Sequence, residues 1–237
     1  HRKLAPPRSE RSGDSSVRST LSYDVLSPEG QVAWDDKVDE LANRGFRLSA
    51  LLDFFELLIG PDTPMPSFCP ASSITRDVVR EAIIPLSRFA DGSGGAALAT
   101  KWNGNKRLFA QRMVTHAWSN VFTHLVAAVV ADGCDLSCYE ELVEHLVTGQ
   151  VDEVRERLRI AGSLDGVYWI CSISINQHSC ICSGYGPPPS DPFRYASWSS
   201  SRLNTVTGEL YPLCDCCQPK YFNDEAAQCE LNKFDDM

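Results

Sequence analysis

The feature that most constrains this chain is the run "GVYWICSISI", which begins at Gly166. It is apolar along nearly its whole length and is closed by Asn176-Gln177. It lacks the in-out alternation of a strand with one wet face, so both of its faces must be covered. That is the usual setting of a strand in a parallel sheet flanked by helices. Tyr168 to Ile175 is therefore predicted to be a core strand. The residues that follow, His178 to Cys182, place a histidine and two cysteines on a turn.

The rest of the chain supplies the covering layers. "SPEGQVAWDDKVDELANRG" reads as a helix capped by Ser27, with Pro28 in its first turn and Gly45 past its end. "FRLSALLDFFELLIG" sets Leu48, Leu51, Leu52, Phe55, Leu58 and Ile59 on one helical face. "SITRDVVREAIIPLSRF" resumes the helical period from a cap at Ser73 or Thr75, and Pro85 ends or kinks it. "DGSGGAALATKWNGNKR" reads as a glycine-rich connection, since Gly92, Gly94 and Gly95 fit neither a Walker nor a Rossmann pattern. A short strand from Arg112 to Trp118 and an apolar helix from Val121 to Ala131 form a strand–helix unit. "SCYEELVEHLVTG" and "VDEVRERLRIAG" add two helices, the second with acids at its start and Arg157 and Arg159 at its end, as the helix dipole favours. From Ser183 the periodicity fades among turn formers, and "LNKFDDM" reads as the entry to a further helix.

The expected class is α/β, in four segments. Residues 1–22, rich in Arg, Ser and Pro, read as a disordered tail. The remainder of a targeting segment is the alternative, which Glu10 and Asp14 weaken. Residues 23–92 form a helical N-terminal region, 93–182 an α/β core and 183–237 a long irregular cysteine-rich arm.

Charge and hydropathy narrow the partners. The formal net charge of −9 argues against nucleic acid, whose phosphates need a concentrated basic patch. No apolar run approaches the length of a membrane span, Val121 to Val130 being short and broken by Thr123 and His124. The acids Asp35, Asp36, Asp39 and Glu40 read as a solvated helix face.

Of the ten cysteines, Cys69, Cys134 and Cys138 lie early, and the other seven crowd the last third. Clustered C-x-C spacing, with no secretory signal, points to thiols or metal ligands in an intracellular setting, cytoplasmic or organellar. Cys182, Cys214, Cys216 and Cys229, with His178 as substitute, are the expected ligands of a structural zinc ion. Buried free thiols and disulfides are the other two readings. In "THAWSN", His116 lies at the carboxyl end of the first strand, the edge at which open α/β sheets bind ligands. His116, Trp118, Ser119 and Asn120 are the candidates there for a nucleotide pocket, the alternative being a His and a Trp packed under a loop. No nucleophile signature such as G-x-S-x-G accompanies them.

"WICSISINQ" resembles the W-I-D-A-L-C-I-N-Q signature of the heterokaryon-incompatibility domain. Trp169, Ile170, Ile175, Asn176 and Gln177 match, while Cys171 stands for its Asp and Ser174 for its Cys. "VTHAWSN" takes the place of that family's first-strand S-Y-x-W segment. Residues from Leu51 to Met237 also resemble a set of dinoflagellate proteins sharing "VTH-WSN-F-HLVAAV-AD", "YW-C---NQH--IC" and "PLC-C-QPKYF---CE-NKFDDM". The resemblance implies a partial Toll/interleukin-receptor (TIR)-like, flavodoxin-like parallel sheet flanked by helices. In those relatives the chain continues past "NKFDDM" into the region where TIR enzymes carry the glutamate that cleaves NAD. No residue here matches it, so the resemblance transfers no catalytic residue. The implied role is an interaction or structural module docking on other protein subunits. A nucleotide-binding or NAD-cleaving enzyme is the alternative.

Overall fold

The computed structural model describes residues 27–237, so the expected tail lies outside them. Helix α1 (Pro28–Ala42) starts as predicted, with Ser27 Oγ accepting from the Gly30 amide at 3.1 Å. A two-residue strand β1 (Phe46–Arg47) leads directly into α2 (Leu48–Ile59). The expected apolar face of α2 is buried as far as Leu58, and Phe54 joins it.

The next helix is assembled from three pieces: α3 (Thr75–Val78), a wider π turn (Val79–Ile83) and α4 (Ile84–Ser87). Neither Ser73 nor Thr75 caps it. The Asp77 carboxylate reaches back to the Ile74 amide at 2.8 Å, while Ser73 Oγ accepts from the Cys69 amide. Pro85 lacks an amide hydrogen. The widened turn just before it accommodates the missing bond, and the helix continues to Ser87. The glycine-rich connection contains a short helix, α5 (Leu98–Trp102), whose Trp102 packs edge-on to Phe46.

Strand β2 (Arg112–Val114) precedes α6 (Phe122–Gly133), α7 (Glu140–Val147) and α8 (Val151–Ile160), and the chain returns as β3 (Val167–Ile170). Strands β2 and β3 are parallel, and the intervening helices form the crossover that a parallel pair requires. The sheet order is β1-β3-β2, with β1 antiparallel to β3, so the sheet is mixed and three-stranded. Both predicted strands end early. Past Ile170 the neighbouring β2 has stopped at Val114, so the backbone bonds to itself as a turn, α9 (Cys171–Ser174). The Ile175 amide donates to the Cys171 carbonyl at 3.1 Å.

Strand β3 is buried on both faces, as its apolar run requires. Tyr168 and Ile170 enter the main core with α2, α6 and α8. Trp169 enters a second cluster with Leu41, Ile175 and Cys180, covered by Phe234 and Met237. The last residues form turns rather than a helix, and Phe234 packs against Trp169 at 5.6 Å between ring centres. Residues of the front helices and of the α/β region share the main core, which runs from Phe46 to Cys216. Among the described residues no helix is long and apolar enough to cross a membrane.

The segment after Ser183 holds one helix of several turns, α10 (Pro192–Ser200), and is pinned to the body at separate points. Buried Asp77 accepts from the Thr205 amide and from the hydroxyls of Thr205 and Tyr211. Arg80, from the π turn, donates to the carbonyls of Ile181 and Gly184. Glu230 forms a two-pronged ion pair with Arg44 at 2.8 and 3.0 Å.

Candidate metal centre

The turn after β3 is built by its own polar residues. Asn176 Oδ1 accepts from the His178 amide, and its Nδ2 donates to the Gly95 carbonyl. The Gln177 carbonyl accepts from the amides of Ile181 and Cys182. This winds one turn between His178 and Cys182 and brings both side chains to one side. The Cys214 amide then donates to the Cys182 carbonyl at 2.9 Å, laying the second cysteine segment alongside. Residues 212–217 are not helical, so positions two apart project the same way. Cys214 and Cys216 therefore face the turn, and Cys217 faces solvent.

The four ligand atoms of His178, Cys182, Cys214 and Cys216 lie within 4.8 Å of one another. His178 Nδ1 is 3.5 Å from Cys216 Sγ and 3.7 Å from Cys214 Sγ, and the Cys182 and Cys216 sulfurs are 3.5 Å apart. Tetrahedral ligands at zinc bond lengths of about 2.0–2.3 Å would stand roughly 3.5–3.8 Å from each other. The group is thus close enough to hold a metal ion, with a Cys3His donor set.

The far side of the imidazole is equally prepared. Ile84 carries one of the carbonyls of the last helical turn, where the Arg88 amide donates to Pro85 instead. His178 Nε2 lies 3.1 Å from the Ile84 carbonyl and 3.1 Å from Ser87 Oγ, whose own hydrogen goes to Ile83 O at 2.6 Å. The proton belongs on Nε2, which leaves the Nδ1 lone pair facing the sulfurs. Burial holds the His178 pKa below its ordinary value, so the imidazole is neutral, as a ligand must be. Burial pushes the Cys182 thiol up to about 12. Burial also acts on Cys216, but the Gln218 amide, the neighbouring thiols and the Lys220 charge outweigh it and bring that thiol below its usual value.

Gly95 makes room for this ring. A Cβ at Gly95 would lie 2.1 Å from His178 Cδ2. Gly95→Ala is expected to displace the imidazole and weaken metal affinity about 10- to 100-fold, the usual range for disturbing a ligand's support. Competition against a chromophoric chelator measures it; an unchanged affinity would remove His178 from the ligand set.

Three expected ligands, Cys182, Cys214 and Cys216, come together, and His178 occupies the place assigned to Cys229. Cys229 is buried elsewhere, beside Glu230, its carbonyl accepting from Lys233 Nζ at 2.8 Å. All ten cysteines are unpaired, which leaves the disulfide reading without support.

The residues of "THAWSN" are placed differently. Trp118 packs against the main core, and its carbonyl accepts from the Arg76 amide. The Asn120 carbonyl accepts from the Thr75 amide, and the side chains of Ser119 and Asn120 are exposed. His116 is half-buried near Cys171. Comparison with family models, curated proteins and solved structures finds no match to this chain.

Proposed function

We propose that His178, Cys182, Cys214 and Cys216 hold one structural zinc ion, and that the chain is an interaction or structural module for other protein subunits. The observation that carries the metal reading is the closeness of the four ligand atoms, three of whose separations are 3.5–3.7 Å, with His178 Nε2 held on the Ile84 carbonyl. Four protein ligands close the coordination sphere, which is the mark of a structural zinc site rather than a catalytic one. A thiolate-rich donor set favours zinc over magnesium or calcium, which prefer oxygen. Arg88, Lys101 and Lys220 lie close enough to act on His178 and would balance the negative charge of a three-thiolate centre.

The interaction reading rests on the segment that the metal pins down. Phe193 is 88% exposed, and Leu210 and Leu213 are 58% and 50% exposed. An otherwise irregular segment held in place while displaying apolar side chains suits docking on a protein surface. The parallel β2–β3 pair with its helical crossover is the part of the fold that agrees with a TIR-like reading, and β1 is an addition to it.

Metal content of the purified chain, followed by cobalt substitution, tests this reading. One zinc per chain and a thiolate-to-cobalt charge-transfer band that weakens in Cys214→Ser are the expected results. A substoichiometric metal content, or a cobalt spectrum without thiolate bands, would refute it.

A further inference from the structure

Outside the metal centre there is a second contact between a cysteine and a histidine. It lies where α/β sheets place their chemistry. β2 and β3 are parallel neighbours, with Val114 opposite Ile170 at their carboxyl ends. His116 comes two residues after β2 ends, and Cys171 immediately follows β3. The two strands therefore deliver an imidazole and a thiol to one edge, the edge at which such sheets bind ligands. Cys171 Sγ lies 4.0 Å from His116 Nδ1. The Trp118 side chain and the Ser172 amide lie near enough to act on the sulfur. His116 Nε2 is buried with no hydrogen-bond partner among the described residues.

Burial raises the Cys171 thiol and lowers the His116 imidazole, so the resting pair is neutral, with the S–H facing Nδ1. Nε2 then carries the ring proton and offers a small polar guest a donor that no protein group has taken. A neutral thiol beside a neutral base is activated when an electrophile arrives, because the base accepts the proton as the sulfur attacks.

We propose that Cys171 is a hydroperoxide-reactive thiol with His116 as its general base. Sγ attacks one oxygen of the peroxide while its proton passes to His116 Nδ1. The S–O bond forms and the O–O bond breaks. The imidazolium returns the proton to the departing hydroxide or alkoxide, giving water or an alcohol. The sulfur loses two electrons to the peroxide, and the product is a sulfenic acid, which a thiol can reverse. Trp118 and Ser172, close to the sulfur, are placed to stabilise it. Cys171 is only partly exposed, which favours a small oxidant over a bulky one. This absorbs the "THAW" part of the segment singled out in the sequence, and it does not depend on the metal reading.

The test treats the reduced, full chain with limiting hydrogen peroxide in the presence of dimedone, which traps sulfenic acids. Labelling of each cysteine is followed by peptide mass spectrometry. Cys171 is expected to label at least about 5-fold faster than the exposed Cys138 and Cys217, the general base outweighing its lesser exposure and raised thiol. His116→Gln is expected to slow Cys171 labelling by about 10-fold or more, the low side of a general-base contribution, with melting temperature and metal content unchanged. Labelling of Cys171 no faster than Cys138, oxidation confined to the metal-centre cysteines, or a His116→Gln rate equal to that of the native chain would each overturn the proposal. The comparison among cysteines of the native chain decides the matter even if the variant fails to fold.

Discussion

Removing the proposed zinc, by chelation under reducing conditions or by His178→Ala, is expected to lower the melting temperature by roughly 10 °C or more. The centre joins two separate segments. Cys182 belongs to the turn after β3, and Cys214 and Cys216 belong to a segment with little regular structure of its own. A structural zinc contributes about 10–16 kcal/mol to the folding of a small metal-dependent peptide. Here Asp77, Arg80 and Glu230 still tether the segment, so only part of that is lost. A loss of about 4 kcal/mol corresponds to roughly 10–15 °C in a chain of this size. New protease cuts should fall between residues 183 and 221, with the helical front resistant. Differential scanning calorimetry with and without chelator measures the shift. A change of about 2 °C or less would mean that the tethers alone hold the segment.

Glu230→Ala is the second large effect, and it is expected to cost about 3–5 kcal/mol, the usual penalty for orphaning one partner of a buried ion pair. The Arg44 and Glu230 side chains are only 11% and 5% exposed. The Glu230 carboxylate also accepts from the Asn176 amide at 2.8 Å, so the substitution strands that backbone donor and leaves the Arg44 guanidinium with Glu40 as its remaining carboxylate partner. Arg44→Met combined with Glu230→Leu should recover part of the loss, because the guanidinium leaves with its buried partner while the Asn176 amide still lacks an acceptor. Denaturant unfolding of the two singles and the double reads the coupling. Singles costing less than about 1 kcal/mol would show that water reaches the pair. Glu40 gives this corner a pH dependence. Burial alone would raise its carboxyl, but Arg44 and Lys37 outweigh it and hold the carboxyl below its ordinary value. The folded pKa is thus below the unfolded one. Its contribution is present above the unfolded value, near pH 4.3, and is lost as pH falls through the folded one.

Much of this was legible in the residues because it is local. Ser27-Pro28 marks a helix start, the apolar spacing of Leu48 to Leu58 marks a face, and the unbroken run after Gly166 marks a strand covered twice. What was not legible depends on partners. Whether "SISI" continues as a strand turns on where β2 stops, and nothing in those four residues records it. The metal centre shows the same division. Spacing could nominate Cys182, Cys214 and Cys216, since C-x-C in extended backbone aims two sulfurs one way. It could not rank His178 above Cys229, because that depends on the α4 carbonyl from Ile84 and on the space left by Gly95. The glycine was visible in the sequence, but its signal was absorbed by the loop reading.

The Arg44–Glu230 pair joins positions 186 residues apart. A ribosome making this chain from its amino end exposes Arg44 long before Glu230 exists. Until then, the end of α1 and the Asn176 amide lack the carboxylate that satisfies both. The helices from α2 to α8 can form as they emerge, since their contacts are nearer in sequence. The second face of β3, with Trp169 awaiting Phe234, stays open until residue 234 has been added. Nascent chains of this protein should therefore need shielding at that face, and chains stalled shortly before residue 230 should aggregate more than those stalled shortly after Met237.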